Sequence, residues 1–317
     1  MTLALKPVAG NATVIPRVRS RGNPSRKRRA REYGIFLLFA LPNFVIIAVF
    51  AYWPVIYNFY LSLTQWDLIA PEPLFIGLEN FRQLFTSSSF LNTLGITVVF
   101  TVSVVIGSIV LGLLVATLLS RPLKGRGLAR TLVFAPYVLP GAAVATIWLM
   151  MFDPHYGLSR FVFELFGASS PSWMSDSDWA LGGLVLVYLW KTIGFCTIVY
   201  ISAMAGLPSE PYEAASLDGA SKVRQFFTLT ITFLSPTTFF LLVISVIGTF
   251  QAFDIIAVMT SGGPAGSTTT LSWYIYQQGF TVFNIGYSAA GSVVMFFVLI
   301  TLTSVQSYFF GKRVHYQ

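Results

Sequence analysis

Six long apolar stretches divide the sequence, and they limit its possible folds more than any other feature. Crossing roughly 30 Å of hydrocarbon takes about 20 helical residues, and each stretch is long enough. The runs are continuously apolar and do not alternate as barrel strands do. They predict an all-α polytopic membrane protein with six transmembrane helices, near Tyr33–Leu61, Leu91–Leu119, Thr131–Met151, Trp179–Met204, Pro236–Met259 and Ile285–Phe310.

The composition supports a membrane protein over a soluble one. Hydrophobic residues make up 55% of the chain and charged residues only 10%, against roughly 25% charged in an ordinary soluble domain. The first apolar stretch does not resemble a cleavable signal peptide, because it is too long, contains Pro42 and has no evident cleavage site. It is therefore expected to remain as a span.

The placement of charge predicts the orientation. If the amino terminus is cytoplasmic, 17 of the 20 basic residues fall in cytoplasmic segments, and only Arg82 and Arg160 fall outside. Cytoplasmic loops carry such an excess of Lys and Arg. The segments predicted outside are instead rich in acids, namely Asp67, Glu72, Glu79, Asp153, Glu164, Asp176 and Asp178. Both termini are therefore predicted to be cytoplasmic.

The charge pattern also divides the chain. Residues 1–32 are predicted to be a basic, mostly disordered cytoplasmic tail, because they mix Arg, Pro, Gly and Ser with few large apolar groups. Residues 33–310 form the membrane domain, and residues 311–317 form a short cytoplasmic tail. The cluster Arg26–Arg31 either binds phosphate or lipid headgroups or only signals topology. The net charge is +8, but many of the basic residues lie directly before the first span. This placement is typical of a membrane flank, so no nucleic-acid partner is expected.

Two charged residues lie inside predicted spans, where charges are costly and face a cavity or a partner. Lys191 follows Trp190 near the middle of the fourth span, and Asp254 lies in the outer half of the fifth. A lysine there can meet a phosphate as a compact point charge. Alternatively, Lys191 pairs with an acid on a neighbouring helix or subunit, and Asp254 braces the outer loop.

The loop between the fourth and fifth spans, residues 207–224, is too polar for lipid and too patterned for a plain linker. Ser209 and Pro211 suit a helix start. Gly219 suits a helix end, and Ser221 suits the cap of a following helix. The loop therefore predicts a short surface helix, a glycine elbow and a second helix that leads into the fifth span.

The predicted surface helix has an unusual face. Ala214, Ala215 and Ala220 would let another backbone approach closely, and Glu213 could meet a basic group on a partner. Such a helix suits docking into a cleft. An ordinary solvated linker helix explains the alanines equally well, because alanine is a good helix former.

The sequence lacks the motifs of an enzyme or of a metal protein. It contains no G-x-x-x-x-G-K-[ST] run for phosphates and no G-x-S-x-G run for hydrolysis. Its one cysteine, Cys196, lies in an apolar run, and its two histidines are predicted on opposite membrane faces. A non-catalytic chain with no metal site and no cofactor of its own is expected.

Several motifs resemble one family, the binding-protein-dependent ABC importer permeases. Its "EAA" coupling loop is similar to Glu213-Ala214-Ala215, Asp218-Gly219-Ala220 and Phe226. The family's carbohydrate-uptake branch has stretches similar to Gly77-Leu78-Glu79-Asn80-Phe81, Thr260-Ser261-Gly262-Gly263-Pro264, Thr268-Thr269-Thr270 with Tyr276, and Ser288-Ala289-Ala290.

The resemblance implies the type I ABC importer permease fold in a bacterial inner membrane. The implied partners are a second homologous permease, two cytoplasmic ATPases that bind ATP and Mg, an extracytoplasmic solute-binding protein and membrane lipid. The coupling residues would be Glu213, Ala214, Ala215, Asp218, Gly219 and Ala220. The substrate path would include Lys191, Trp190, Ser245, Thr249, Gln251 and Asp254.

The expected solute is glycerol-3-phosphate or a glycerophosphodiester such as glycerophosphocholine, because permeases for these solutes are the most similar members of the branch. A maltose- or trehalose-type importer of disaccharides or oligosaccharides is the alternative. An ion-driven secondary transporter is a more remote one. It would need its own ion site and often has internal repeats, and no convincing repeat is present.

Overall fold

The computed structural model describes residues 26–121 and 124–311, and side chains over 33–121 and 124–308. Most of the predicted basic tail and nearly all of the predicted carboxyl-terminal tail lie outside these residues. The part that is described is almost entirely helical and includes one small antiparallel hairpin, which pairs Thr64–Gln65 with Leu74–Phe75. The all-α prediction is confirmed.

Fifteen α-helices are assigned over the described residues, and three of the junctions between them are π-helical turns, at Ala48–Tyr52, Phe226–Thr230 and Gln277–Thr281. The helices are α1 (Arg26–Ile47), α2 (Trp53–Leu61), α3 (Glu79–Thr86), α4 (Ser88–Leu119), α5 (Arg126–Val138), α6 (Gly141–Met151), α7 (Leu158–Leu165), α8 (Ser177–Ala205), α9 (Glu210–Leu217), α10 (Lys222–Gln225), α11 (Ile231–Phe233), α12 (Ser235–Phe250), α13 (Asp254–Met259), α14 (Leu271–Tyr276) and α15 (Ile285–Gly311).

By its internal contacts the chain divides into two units, residues 1–56 and 57–317. The first contains α1, the π-turn and the start of α2, and its large apolar side chains are exposed from Tyr33 onward. The second contains the remaining helices. Its largest core cluster joins α4, α6, α8 and α13 through residues such as Phe100, Val144, Leu184 and Ile255.

Five of the six predicted spans correspond to helical segments that are long and apolar enough to cross a membrane. They are Tyr33–Leu61, Ser88–Leu119, Ser177–Ala205, Ser235–Met259 and Ile285–Tyr308. The remaining one is the third span, over Thr131–Met151, and its prediction as a single helix is wrong.

The third span consists of α5 and α6, which meet at an angle of 103°. Pro140 explains the break, because a proline disfavours the helical conformation of the preceding residue. Leu139 is accordingly extended, with φ −68° and ψ 142°. Counting this bent pair as one crossing gives the predicted six.

The fifth span is also interrupted, so the prediction of one continuous helix over Pro236–Met259 needs correction. Helix α12 ends at Phe250, and α13 begins at Asp254. The Asp254 carboxylate accepts a hydrogen bond from the backbone N–H of Ile255 at 2.9 Å. An acid in a first helical turn also interacts favourably with the helix dipole, so Asp254 suits the restart of the helix.

Helices α4 and α8 pack in parallel. Phe100 contacts Tyr188, with ring centroids 5.0 Å apart, and further along Gly112 lies against Cys196. Small residues allow such close packing in membranes. The carboxyl ends of both helices therefore lie at the same face of the membrane, where α9 follows α8.

Gly194 provides a test of how α5 and α8 pack. A Cβ atom at this position would overlap the Val133 carbonyl, and overpacking costs roughly 1–3 kcal/mol. We expect Gly194→Val to lower the thermal unfolding temperature of the purified protein in detergent. Gly182→Val on the same helix is the control, because no atom lies within 4 Å of its Cβ position. Equal unfolding temperatures for the two variants would contradict this packing.

Candidate functional site

A cavity of about 250 Å³ lies among α4, α5, α8 and α12 and extends to the start of α13, with a few polar groups in a mostly apolar lining. Five of the six predicted substrate-path residues line it: Lys191, Ser245, Thr249, Gln251 and Asp254. Lys191 is the one basic residue and Asp254 the one acidic residue of the lining. The remaining lining residues are Val104, Ser108, Tyr137, Tyr188, Thr192, Phe195, Ile244, Gly248 and Ala252.

Lys191 reaches from α8 to the break in the third span. Its Nζ donates hydrogen bonds to the backbone carbonyls of Leu139, at 2.5 Å, and Tyr137, at 3.3 Å. An ammonium has three N–H donors, so one remains for another acceptor. Lys191 is partly exposed, and its charge is accessible from the cavity.

Asp254 lies beside the same bend. Its Oδ1 accepts a hydrogen bond from the Tyr188 hydroxyl at 3.5 Å, and its carboxylate lies where a Cβ of Gly141 would be. Among the ion pairs of the described residues there is none between Lys191 and Asp254. Both charged residues line the cavity without a direct ion pair, so both can interact with a solute.

The hydroxyl groups of the cavity differ in how free they are. Thr249 Oγ1 donates to the Ser245 carbonyl at 2.8 Å, and Thr192 Oγ1 donates to the Tyr188 carbonyl at 2.7 Å. Mid-span hydroxyls often bond to their own helix in this way. Both oxygens keep lone pairs, so they can still accept hydrogen bonds from a hydroxylated solute.

Trp190 is the predicted substrate-path residue that the structure places elsewhere. Its indole packs edge-on against Trp148, with ring centroids 5.6 Å apart, and it does not line the cavity. Successive residues of a helix point about 100° apart, so the neighbours Trp190 and Lys191 face different surroundings.

Sequence reasoning did not identify Tyr137, Tyr188, Thr192 and Ser108 as cavity residues. For two of them the signal was present. On α8, Tyr188 lies three residues before Lys191, and Thr192 lies four residues after Tyr188. The i, i+3 and i, i+4 spacings place Tyr188 on the face of Lys191 and Thr192 on the face of Tyr188. Tyr137 and Ser108 reach the cavity only through the packing of α5 and α4, which the local sequence does not encode.

The predicted coupling loop has the expected form of helix, elbow and helix, but Ser209 makes no side-chain cap hydrogen bond because its own backbone is already helical. Helix α9 covers Glu210–Leu217, and Gly219 follows with a φ of +76°. Ser221 caps α10 by accepting a hydrogen bond from the Arg224 N–H at 3.3 Å. Positive φ values favour glycine because it has no Cβ. Gly219 therefore permits the sharp turn between the two helices.

The six predicted coupling residues lie together on this turn. Four of them, Glu213, Ala214, Asp218 and Gly219, are exposed, and Ala215 and Ala220 are partly buried. The Glu213 carboxylate makes no ion pair or hydrogen bond to another residue that the structure describes. It is thus available to a partner.

Gln225 fixes the turn, and sequence reasoning missed it. This residue is buried, and its side-chain amide donates to Ser216 Oγ at 2.9 Å and to the Ala220 carbonyl at 3.1 Å. A buried glutamine at the base of an exposed elbow makes the elbow a defined surface. The acceptors Ser216 and Ala220 lie nine and five residues away, so no helical spacing would have indicated these two contacts.

Large apolar side chains surround the elbow on the outside. Leu217 is 90% exposed, Val223 67% and Phe227 64%. Leu217 ends the polar helix α9, Val223 lies on α10, and Phe227 lies on the π-turn that leads toward α12. Exposed apolar patches rimmed by polar residues are typical of protein-binding surfaces.

Comparison with known proteins gives consistent results. The family model described as "Binding-protein-dependent transport system inner membrane component" matches residues 108–316. The chain is 36% identical over 280 residues to the sn-glycerol-3-phosphate transport system permease protein UgpA of Agrobacterium fabrum (strain C58 / ATCC 33970), covering 88% of this chain and 95% of the relative.

Permeases of the same name from other organisms are similar too. The identity is 34% over 276 residues for Brucella suis biovar 1 (strain 1330), covering 87% of this chain and 94% of that one. It is 34% over 298 residues for Yersinia pestis bv. Antiqua (strain Antiqua), covering 93% and 100%.

Among solved structures, a chain of a bacterial ABC transporter involved in the import of the acidic polysaccharide alginate superposes with a TM-score of 0.78. The identity is 22%, and the match covers 90% of this chain and 98% of that chain. A structure of the alginate transporter with a pentasaccharide-bound periplasmic protein gives a TM-score of 0.77 at 20% identity, covering 89% and 95%. The shared fold is that of type I ABC importer permeases.

Proposed function

The chain belongs to the family of binding-protein-dependent transport system inner membrane components, and we propose that it imports sn-glycerol-3-phosphate or a related glycerophosphodiester. It is a multi-pass permease subunit of an ABC importer. The cavity carries the proposal about the solute, because Lys191 places a positive charge among hydroxyl groups. The positive charge can bind a phosphate, and the hydroxyl groups can form hydrogen bonds with a glycerol moiety.

The names of the relatives support the same solute class. Permeases 34–36% identical over most of the chain are named for sn-glycerol-3-phosphate. A maltose- or trehalose-type solute is the second candidate, but it carries no negative charge for Lys191 to bind. The solved alginate importers share the fold and act on an acidic polysaccharide, so an anionic solute also fits the wider family.

The geometry of the elbow supports a partner-driven mechanism. We propose that Glu213, Ala214, Ala215, Asp218, Gly219 and Ala220 dock on one of two cytoplasmic ATPase subunits, which bind ATP and Mg. The parallel packing of α4 and α8 supports this placement, because it leaves the elbow at the same face as the basic residues after α4. Both termini would be cytoplasmic.

The other proposed partners complete the importer. A second homologous permease would pair with this one, and an extracytoplasmic binding protein would deliver the solute at the opposite face. ATP binding would close the ATPase pair, and the coupling helices would move the spans from inward-facing to outward-facing. The chemistry of ATP hydrolysis would take place wholly on the partner subunits.

Uptake by the complete transporter tests this function. We expect cells that express all subunits to accumulate labelled sn-glycerol-3-phosphate, and cells that lack only this chain to fail. An ATPase subunit should co-purify with the chain. An ion-driven transporter would not need such a subunit. Labelled maltose is the matched neutral solute. Uptake of maltose but not of sn-glycerol-3-phosphate would reject the proposed solute, and absence of any ATPase from the purified complex would reject the partner assignment.

A further inference from the structure

The bend of the third span exposes backbone carbonyls within the membrane domain. The last carbonyls of a helix have no partner inside that helix, and lipid cannot supply a donor. At the end of α5, Lys191 Nζ donates to the carbonyls of Leu139, at 2.5 Å, and Tyr137, at 3.3 Å. Lys191 therefore supplies hydrogen-bond donors to two carbonyls at the break, although it lies on a helix more than 50 residues away in sequence.

Close backbone contacts hold the bend at two further points. Gly194 on α8 lies against the Val133 carbonyl of α5, and Gly141 at the start of α6 lies against the Asp254 carboxylate. Neither glycine has room for a Cβ atom. The arms of the bend are thus fixed sterically on both sides of the apex, whereas the apex itself depends on the hydrogen bonds of Lys191.

The same ammonium lines the cavity that we assign to the solute. The bonds of Lys191 to the carbonyls are charge-assisted because the ammonium is ionised, but a phosphate adds the Coulomb attraction of a full negative charge. An anionic solute in the cavity would therefore compete with the two neutral carbonyls for Lys191. The free third N–H can meet the anion first. If the ammonium then moves into the cavity with the bound anion, the carbonyls lose their donor and the bent conformation loses part of its stabilisation.

We infer that Lys191 is a positioning residue for transport: its ammonium holds the bend between α5 and α6 while the cavity is empty, and its transfer to the anionic group of the solute releases the bend. The holding role rests on the geometry alone, and the release rests on the proposed solute. The third span would then report to the rest of the permease whether the cavity is occupied.

Distance measurement across the bend tests this inference. Spin labels on cysteines introduced at Leu132 and Met150 would mark α5 and α6, because these side chains are 64% and 72% exposed. The native Cys196 is buried. In the assembled transporter in nanodiscs, we expect one narrow distance distribution without solute. sn-Glycerol-3-phosphate should shift it, and the uncharged probe glycerol should not.

Three variants separate the two roles. Lys191→Met should broaden the distribution without solute, and Lys191→Arg should keep it narrow and retain the shift. Lys191→Gln can donate to the carbonyls without a charge, so it should stay narrow and show no shift. Lys191→Gln also keeps the test decisive if Lys191→Met fails to assemble.

The outcomes distinguish this inference from the proposed function. If Lys191→Met abolishes uptake but keeps the distribution of the unsubstituted protein, Lys191 only binds solute and the positioning role is overturned. If Lys191→Met broadens the distribution, but the unsubstituted transporter shows neither uptake of sn-glycerol-3-phosphate nor a distance shift with it, the positioning role stands and the solute assignment falls. A shift in Lys191→Gln equal to that of the unsubstituted protein would overturn the exchange.

Discussion

Replacing Lys191 with alanine is expected to reduce uptake of sn-glycerol-3-phosphate by about 10- to 100-fold at low solute concentration. The reason is the loss of the one positive charge in the cavity lining. A hydrogen bond to a charged group contributes about 1.5–3 kcal/mol, and each 1.4 kcal/mol is about tenfold in affinity. Initial uptake rates in proteoliposomes that contain the complete transporter would measure the effect.

Lys124→Ala is the matched control, because it removes the same side chain from a loop outside the cavity. We expect it to change uptake by less than about twofold, as is usual for substitutions away from a packed or functional site. Lys191→Arg should retain part of the uptake, since it keeps the charge. Full uptake by Lys191→Ala would contradict the role of Lys191 in solute binding.

Substitutions in the elbow after α9 are expected to uncouple ATP hydrolysis from transport while leaving membrane insertion intact. Gly219 has a φ of +76°, which is a genuine outlier for a β-branched side chain. Such strain costs about 1–3 kcal/mol, so Gly219→Val should displace α9 from its docking position. Glu213→Gln should weaken docking directly, because it removes the exposed charge. We expect both variants to lose uptake by roughly tenfold or more.

Two substitutions close to the elbow in sequence serve as controls. Gly206→Val changes a glycine with ordinary φ, whose Cβ would meet only the Ala203 carbonyl at 3.7 Å. Glu210→Gln makes the same charge change one helical turn before Glu213. Uptake and solute-stimulated ATPase activity of the reconstituted transporter are the measurements. If Gly219→Val and Glu213→Gln kept both activities at the level of these controls, the elbow would not be the coupling element.

The sequence predicted the long spans and the elbow well, because both depend on local chemistry. Segments such as Ser88–Leu119 and Ser177–Ala205 are helical since a continuous apolar run in lipid must satisfy its own backbone. In the elbow, the Ser221 hydroxyl caps α10, and Gly219 takes a positive φ because it has no Cβ. Each of these features needs information from only a few neighbouring residues.

The bend and its supports were not predicted, for two different reasons. The break at Leu139-Pro140 has a local signal, which is the proline. Hydropathy averaged over Thr131–Met151 hides it, because one proline changes the average very little. The hydrogen bonds of Lys191 connect residues 52 and 54 positions apart, and only the packing of α5 on α8 creates them. Gln225 was missed in the same way, because its role depends on the folded elbow.

A structure of the assembled transporter, captured with sn-glycerol-3-phosphate inside the membrane domain, tests the central claim most directly. That claim is that this permease binds a phosphate-bearing solute through Lys191. We expect a phosphate oxygen about 2.7–2.9 Å from Lys191 Nζ, with the glycerol hydroxyls toward Ser245 and Thr249. Solute bound elsewhere, with Lys191 still bonded to the Leu139 carbonyl, would contradict both the binding site and the release of the bend.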